Sequence, residues 1–135
     1  MRRKIFISSS PEDYDLAQDL AVRLNKSGLK AVKVVTPSET INAREYVEAV
    51  LRKALRGVSE VIIILTKNSL NNQWLSLEMG AATSLGKHIT PLIQGIEPKE
   101  LPELIRQMDY VRYADLDKYI SKLQRSLDEP SKSAA

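Results

Sequence analysis

Val61-Ile62-Ile63-Ile64-Leu65 is an unbroken apolar run in which four of five side chains are β-branched. Such a run is the signature of a strand buried on both faces, and strands of that kind belong to parallel sheets covered by helices on either side. The rest of the chain has the alternation this requires. Lys4–Ile7 predicts a first strand, and a helix follows from about Pro11 to Ser27. Ser10 stands as its N-cap, Pro11 suits the first helical position, and Asp13 falls in an acidic first turn. Leu16, Leu20 and Leu24 space its inner face, and Gly28 marks the stop.

Leu29–Val35 predicts the second strand, Thr36–Ala43 a polar loop containing Pro37, and residues from about Arg44 to Arg56 a helix ended by Gly57. After the Val61–Leu65 strand come a polar connection from Lys67 to Gln73 and a helix that stops at Gly86. Ile89–Ile93 predicts a fourth strand, Pro98–Met108 a short helix broken by Pro102, Tyr110–Tyr113 a fifth strand and Leu116–Leu127 a last helix. No internal repeat is visible. The expected organisation is one domain over residues 1–127, with 128–135 a tail or the start of a linker. The repeated strand–helix order predicts an α/β, flavodoxin-like three-layer sandwich: a five-stranded parallel sheet of order 2-1-3-4-5 with helices on both faces. In that order ligands bind where the strand order reverses, at the carboxyl ends of the first and third strands. The loops there are Ser8–Ser10 and Thr66–Gln73.

One residue of the helix after the third strand breaks the pattern. Trp74, Glu78, Ala81, Ala82 and Leu85 share one stripe, at i, i+4, i+7, i+8 and i+11. Four of the five suit a hydrophobic interior. A carboxylate there is costly unless something pairs with it or uses it. Glu78 also lies about one turn into its helix, roughly 6–7 Å along the axis at the helical rise, beside the crevice the topology creates.

Composition removes several other chemistries. With no cysteine, disulfides, thiolate catalysis and zinc–thiolate sites are excluded, and the single His88 cannot join other histidines around a metal. His88 is expected to be structural, at a strand edge. No apolar run approaches the roughly 20 residues of a membrane span. Met1-Arg2-Arg3-Lys4 leads into only three apolar residues, so no signal peptide is expected and the cytoplasm is the expected location. The net charge is +3, but Lys and Arg are dispersed over several helices and there is one Phe and one Trp, so direct nucleic-acid binding is not expected.

Among chemistries hosted by this architecture, phosphate acceptance needs an Asp at the end of the third strand, where Leu65-Thr66 stands. GxGxxG and GxxxxGK[ST] are both missing. The pattern that remains resembles the Toll/interleukin-1 receptor (TIR) domain family, in particular its bacterial members. Ile5-Phe6-Ile7-Ser8 with Glu12-Asp13 and a leucine-spaced helix looks like that family's first box. Val61–Thr66 with Ser69 looks like its third strand and following loop, and Trp74 with Glu78 matches its WxxxE motif. Glu78-Met79-Gly80-Ala81-Ala82, Gly86-Lys87 and Pro91-Leu92-Ile93 continue the likeness, which covers about residues 4 to 127.

Many members of that family cleave NAD+ between nicotinamide and ribose, so the resemblance implies an NAD+ glycohydrolase with NAD+ as substrate, no metal, and Glu78 as the catalytic glutamate. The product would be ADP-ribose or its cyclic form. It further implies that Ser8, Ser9 and Ser10 contact NAD+, that Tyr46 stacks on nicotinamide, that Arg44 meets a phosphate, and that Trp74 walls the pocket. Implied partners are other copies of the domain, through homotypic assembly, and a fused or separate sensor domain. The implied setting is bacterial immune signalling. Two positions depart from the family pattern: Ser9 where His, Tyr or Phe is frequent, and Asn42-Ala43-Arg44 where a Gly-Asp/Glu pair is frequent. A non-catalytic assembly module is therefore one alternative. A nucleoside deoxyribosyltransferase-like enzyme is another, since Glu-x-Gly-x-Ala followed by Gly-Lys occurs there too. Each residue also has a structural reading: an ion pair for Glu78, packing for Trp74 and Tyr46, a helix cap for Ser8–Ser10.

Overall fold

The continuous apolar run is explained by the sheet it crosses. The structure, a computed structural model, describes residues 3–37 and 42–128. Its strands are β1 (Lys4–Ser9), β2 (Lys30–Val35), β3 (Val58–Leu65), β4 (His88–Ile93) and β5 (Val111–Arg112). They pair in parallel in the order β2-β1-β3-β4-β5, as the alternation predicts. β3 is central. Ile62 and Ile64 project into one core with Ile5, Ile7, Leu20, Leu24, Leu116 and Ile120. Val61, Ile63 and Leu65 project into the other, with Phe6, Leu51, Leu55, Leu75 and Ile105. Successive strand side chains point to opposite faces, so two cores demand apolar residues at every position. Each such side chain contributes about 1.5–3 kcal/mol on burial.

The strands outrun their apolar cores because ladder hydrogen bonds, not side chains, set their length. β1 continues through Ser8 and Ser9, which pair with Val34 and Val35. β3 begins at Val58, and its Glu60 pairs with both Ile5 and His88. The Glu60 carboxylate takes hydrogen bonds from Thr90 (2.7 Å) and Tyr119 (3.2 Å) and contacts His88 Nδ1 at 2.6 Å. His88 thus serves as an edge partner for Glu60. β5 keeps only two residues of the expected four.

The helices are α1 (Tyr14–Lys26), α2 (residues 43–55), α3 (Gln73–Ser84), α4 (Glu103–Arg106) and α5 (Leu116–Asp128). α1 and α5 cover one face of the sheet, and α2, α3 and α4 the other. Gly28 follows α1 with φ +85° and lets the Leu29 N–H return to Leu24 O at 3.0 Å, the closure that ends a helix. The middle of α2, Val47–Leu51, widens into a π turn that nothing in the spacing announces. Pro102 does break its segment: a 3-10 turn at Pro98–Glu100 precedes it and α4 follows. Residues 38–41 of the predicted loop Thr36–Ala43 and residues 129–135 of the predicted tail lie outside the described residues.

Two local expectations are corrected. Leu85 does not share the buried stripe of α3; it is 51% exposed. It is the C-cap, where the chain leaves the helix, and the buried face is Leu75, Glu78 and Ala82. Ser10 does not cap α1 with its side chain. A 3-10 turn, Pro11–Asp13, intervenes, and the Ser10 hydroxyl donates to Asp13 instead, at 3.1 Å.

Candidate functional site

The carboxyl end of β1 and the first two turns of α3 meet at the point where strand order reverses. Asn72 fixes the start of α3: its Oδ1 accepts from the Trp74 N–H at 2.8 Å, an N-cap of the usual kind. Its Nδ2 donates to Thr36 Oγ1 at 3.1 Å, and the Thr36 N–H donates to Ser9 O at 2.8 Å. The helix start, the exit of β2 and the end of β1 are thereby bound together.

From that anchored start, Glu78 faces inward and is 1% exposed. Tyr46 of α2, 2% exposed, donates its hydroxyl to Glu78 Oε1. The rings of Tyr46 and Trp74 meet edge to face, centroids 5.1 Å apart at 67°. No cation pairs with Glu78 among the described residues, so the structural ion pair is not what keeps it inside. Burial pushes its carboxyl up to about 7, against smaller opposing effects of Ser8 and Tyr46. Ser8 Oγ lies near enough to act electrostatically yet makes no hydrogen bond of ordinary geometry. Burial and the facing Glu78 charge push the Tyr46 hydroxyl up as well, so Tyr46 stays a donor.

Among the described residues, three buried polar atoms have no partner: Ser8 Oγ, Ser9 Oγ and Glu78 Oε2. Leaving such a group unpaired costs about 1–3 kcal/mol, which makes them candidates for contacts with a bound molecule.

Of the residues singled out from the sequence, Ser8, Tyr46, Trp74 and Glu78 gather in one place. Ser8 shares the strand face of Phe6, toward α2 and α3, whereas Ser9 shares that of Ile5 and Ile7, toward α1. Ser10 turns to Asp13. The side chain of Arg44 lies outside the described residues.

Asp13 is the residue that sequence reasoning undervalued. It is 3% exposed and accepts from Ser10 Oγ, from Thr66 Oγ1 at 2.9 Å and from Asn68 Nδ2 at 3.5 Å. It ties the loop after β1 to the loop after β3, across the switch point. Asp13 and Thr66 are 53 residues apart, and no local spacing connects them. The signal available was Asp13 itself, an acid beside the first strand's exit, which the sequence marks as part of the first box and as a helix-dipole partner but not as a tie between loops.

Among the described residues no group of His, Cys, Asp and Glu is placed to hold a metal, and no helix is long and apolar enough to cross a membrane. A model of the TIR domain family matches residues 5–127. Among solved structures, the TIR domain of the Toll-related receptor TRR-2 from Hydra magnipapillata is similar, with 19% identity and a TM-score of 0.67. That match covers 93% of this chain and 98% of the other. A putative lipoprotein fragment from Peptoclostridium difficile 630 is similar at 11% identity and a TM-score of 0.52, covering 93% of this chain and 98% of that one. Identities this low speak to the fold alone. No curated protein sequence matches.

Proposed function

The chain belongs to the TIR domain family, and on that premise we propose that it cleaves NAD+ at the bond between nicotinamide and ribose, with Glu78 as the catalytic carboxylate. The observation that carries this reading is a glutamate 1% exposed, without a cationic partner among the described residues, at the point where the strand order reverses. A structural ion pair would call for a cation, whereas Glu78 has one donor, the Tyr46 hydroxyl, on one oxygen.

The chemistry needs little else. The C1′–N bond breaks with its electron pair leaving on the nicotinamide nitrogen, which goes from cationic to neutral and needs no proton. Positive charge develops on the ribose, and an ionised carboxylate in a water-poor site stabilises it strongly. Water then supplies oxygen to C1′ and releases a proton, giving ADP-ribose; capture by a nitrogen of the adenine gives the cyclic product instead. Ser8 Oγ and Glu78 Oε2 are the unpaired polar atoms on the α2–α3 side suited to sugar hydroxyls. Trp74 and Tyr46 wall the carboxylate and limit water. Phosphate contact by Arg44 and stacking by Tyr46 belong to the same proposal, with Ser9 and Ser10 as further contacts if the loop after β1 rearranges.

With Glu78 nearly sealed, entry of a ribose requires Tyr46 or Trp74 to move. We therefore place activation in self-association of the domain, in a bacterial signalling setting with a sensor domain. The same sealing supports a second reading, a non-catalytic assembly module in which Glu78 is a buried acid bonded to Tyr46.

Incubation of concentrated protein with NAD+, following nicotinamide release, separates the two. Turnover by the unaltered chain and its loss by a factor of about 100 or more in Glu78→Ala is expected for the enzyme. Equal turnover in both proteins would remove Glu78 from the chemistry, and none in either under associating conditions would leave the assembly module.

A further inference from the structure

Two large apolar side chains are the most exposed among the described residues: Leu104 at 65% and Leu85 at 51%. Their surroundings carry opposite charge. Leu85 lines a groove of about 870 Å³ between α2 and α3, together with Leu51, Leu55 and Leu77. The charged groups lining that groove are Arg52, Arg56 and Lys87, and no carboxylate joins them. None of the three is held in an ion pair among the described residues. Leu104 lies in α4, next to Glu103 and four residues after Glu100, both exposed. Over residues 97–109 the acids Glu97, Glu100, Glu103 and Asp109 outnumber Lys99 and Arg106.

Building on the self-association proposed above, we infer that the α2–α3 groove receives the Leu104 segment of a second copy of this chain. Glu100 and Glu103 of that copy would face Arg52, Arg56 and Lys87. Within one molecule the two patches cannot meet. α4 crosses from β4 to β5 and the groove lies on the β1–β3 side of α3, so α3 stands between them on one face of the sheet. Each copy thus offers one knob and one socket with matching apolar centres and opposite rims. A contact between two different patches is heterologous, and it extends into a row unless its rotation closes a ring. Opposite rims also speed encounter and reject like-charged partners. The groove is built by the two helices that carry Tyr46 and Glu78, so its occupation acts on the elements of the candidate site.

The test reads association by sedimentation and light scattering with no NAD+ present, so its outcome is independent of whether the domain is an enzyme. Glu100→Lys/Glu103→Lys and Arg52→Glu/Arg56→Glu alter exposed positions only. Each doubly substituted chain alone should associate about tenfold more weakly or worse, because its knob and socket now repel. Mixed in equal amounts, the two should associate again, since each reversed patch meets its complement. The chain has no cysteine of its own. A mixture of Leu104→Cys and Leu85→Cys should therefore form the mixed disulfide in preference to either like pair. Association of each reversed variant as strong as that of the unaltered chain, failure of the mixture to recover, or an unaltered chain that stays monomeric would overturn the inference.

Discussion

Burial that holds the Glu78 carboxyl near neutrality makes its proton a term in folding. In the folded chain it is released near pH 7, in the unfolded chain near the ordinary 4.5. Between those values the folded state binds the extra proton, so raising the pH through that window lowers stability. Summed over the window the loss is about 3 kcal/mol. Glu78→Gln, which keeps an oxygen for the Tyr46 hydroxyl, should unfold with a midpoint that no longer falls between pH 5 and pH 8. At pH 8 it should be the more stable protein, by a few degrees in Tm. If both proteins lose stability alike across that range, Glu78 is not the group responsible. Turnover should move oppositely, rising as pH passes 7 because only the ionised carboxylate stabilises a cationic ribose. Tyr46→Phe removes a donor that favours ionisation, so it should shift that rise to higher pH. Glu78 was visible in the sequence because a carboxylate interrupts an apolar face. Its tie to Tyr46, which lies 32 residues away, was not.

At the scale of elements, the loops after β1 and β3 are held together by one buried acid. Asp13 receives Ser10 and Thr66 hydroxyls, and the Thr66 N–H is in turn fixed by Ser69 Oγ at 2.9 Å. Asp13→Ala leaves those hydroxyls buried without an acceptor, at a cost of about 2–3 kcal/mol. Urea unfolding should show a lower midpoint with an unchanged slope, since the folded surface stays the same. A shift below about 0.5 kcal/mol would mean that water replaces the carboxylate without loss. Strand and helix positions were legible because β3 is apolar without interruption and α1 carries a leucine period in the chain. The errors cluster at ends. Ser10 was read as a cap although Pro11–Asp13 forms a separate tight turn, and Leu85 was read into a face that α3 leaves one residue earlier. The π turn in α2, Val47–Leu51, has no signature in the residue spacing; of its side chains Leu51 reaches the core while Val50 is exposed.

For the molecule as a whole, strand order follows from right-handed crossovers, so the place of the crevice was legible while its state was not. The side chains at that place are buried: Ser8 and Glu78 are at most 1% exposed. A substrate that binds only an opened form sees an affinity reduced by the fraction of chains that are open. If association holds α2 and α3 in the open arrangement, each added copy raises that fraction, and nicotinamide release per chain must depend on protein concentration. Turnover per chain should climb by about tenfold or more as concentration crosses the range in which sedimentation shows association, then level off. The charge-reversed groove variant, Arg52→Glu/Arg56→Glu, should stay at the dilute rate throughout and recover when mixed with its knob-reversed counterpart. A rate per chain that is flat across the association range would place the opening within the single domain, in the motion of Tyr46 and Trp74 alone.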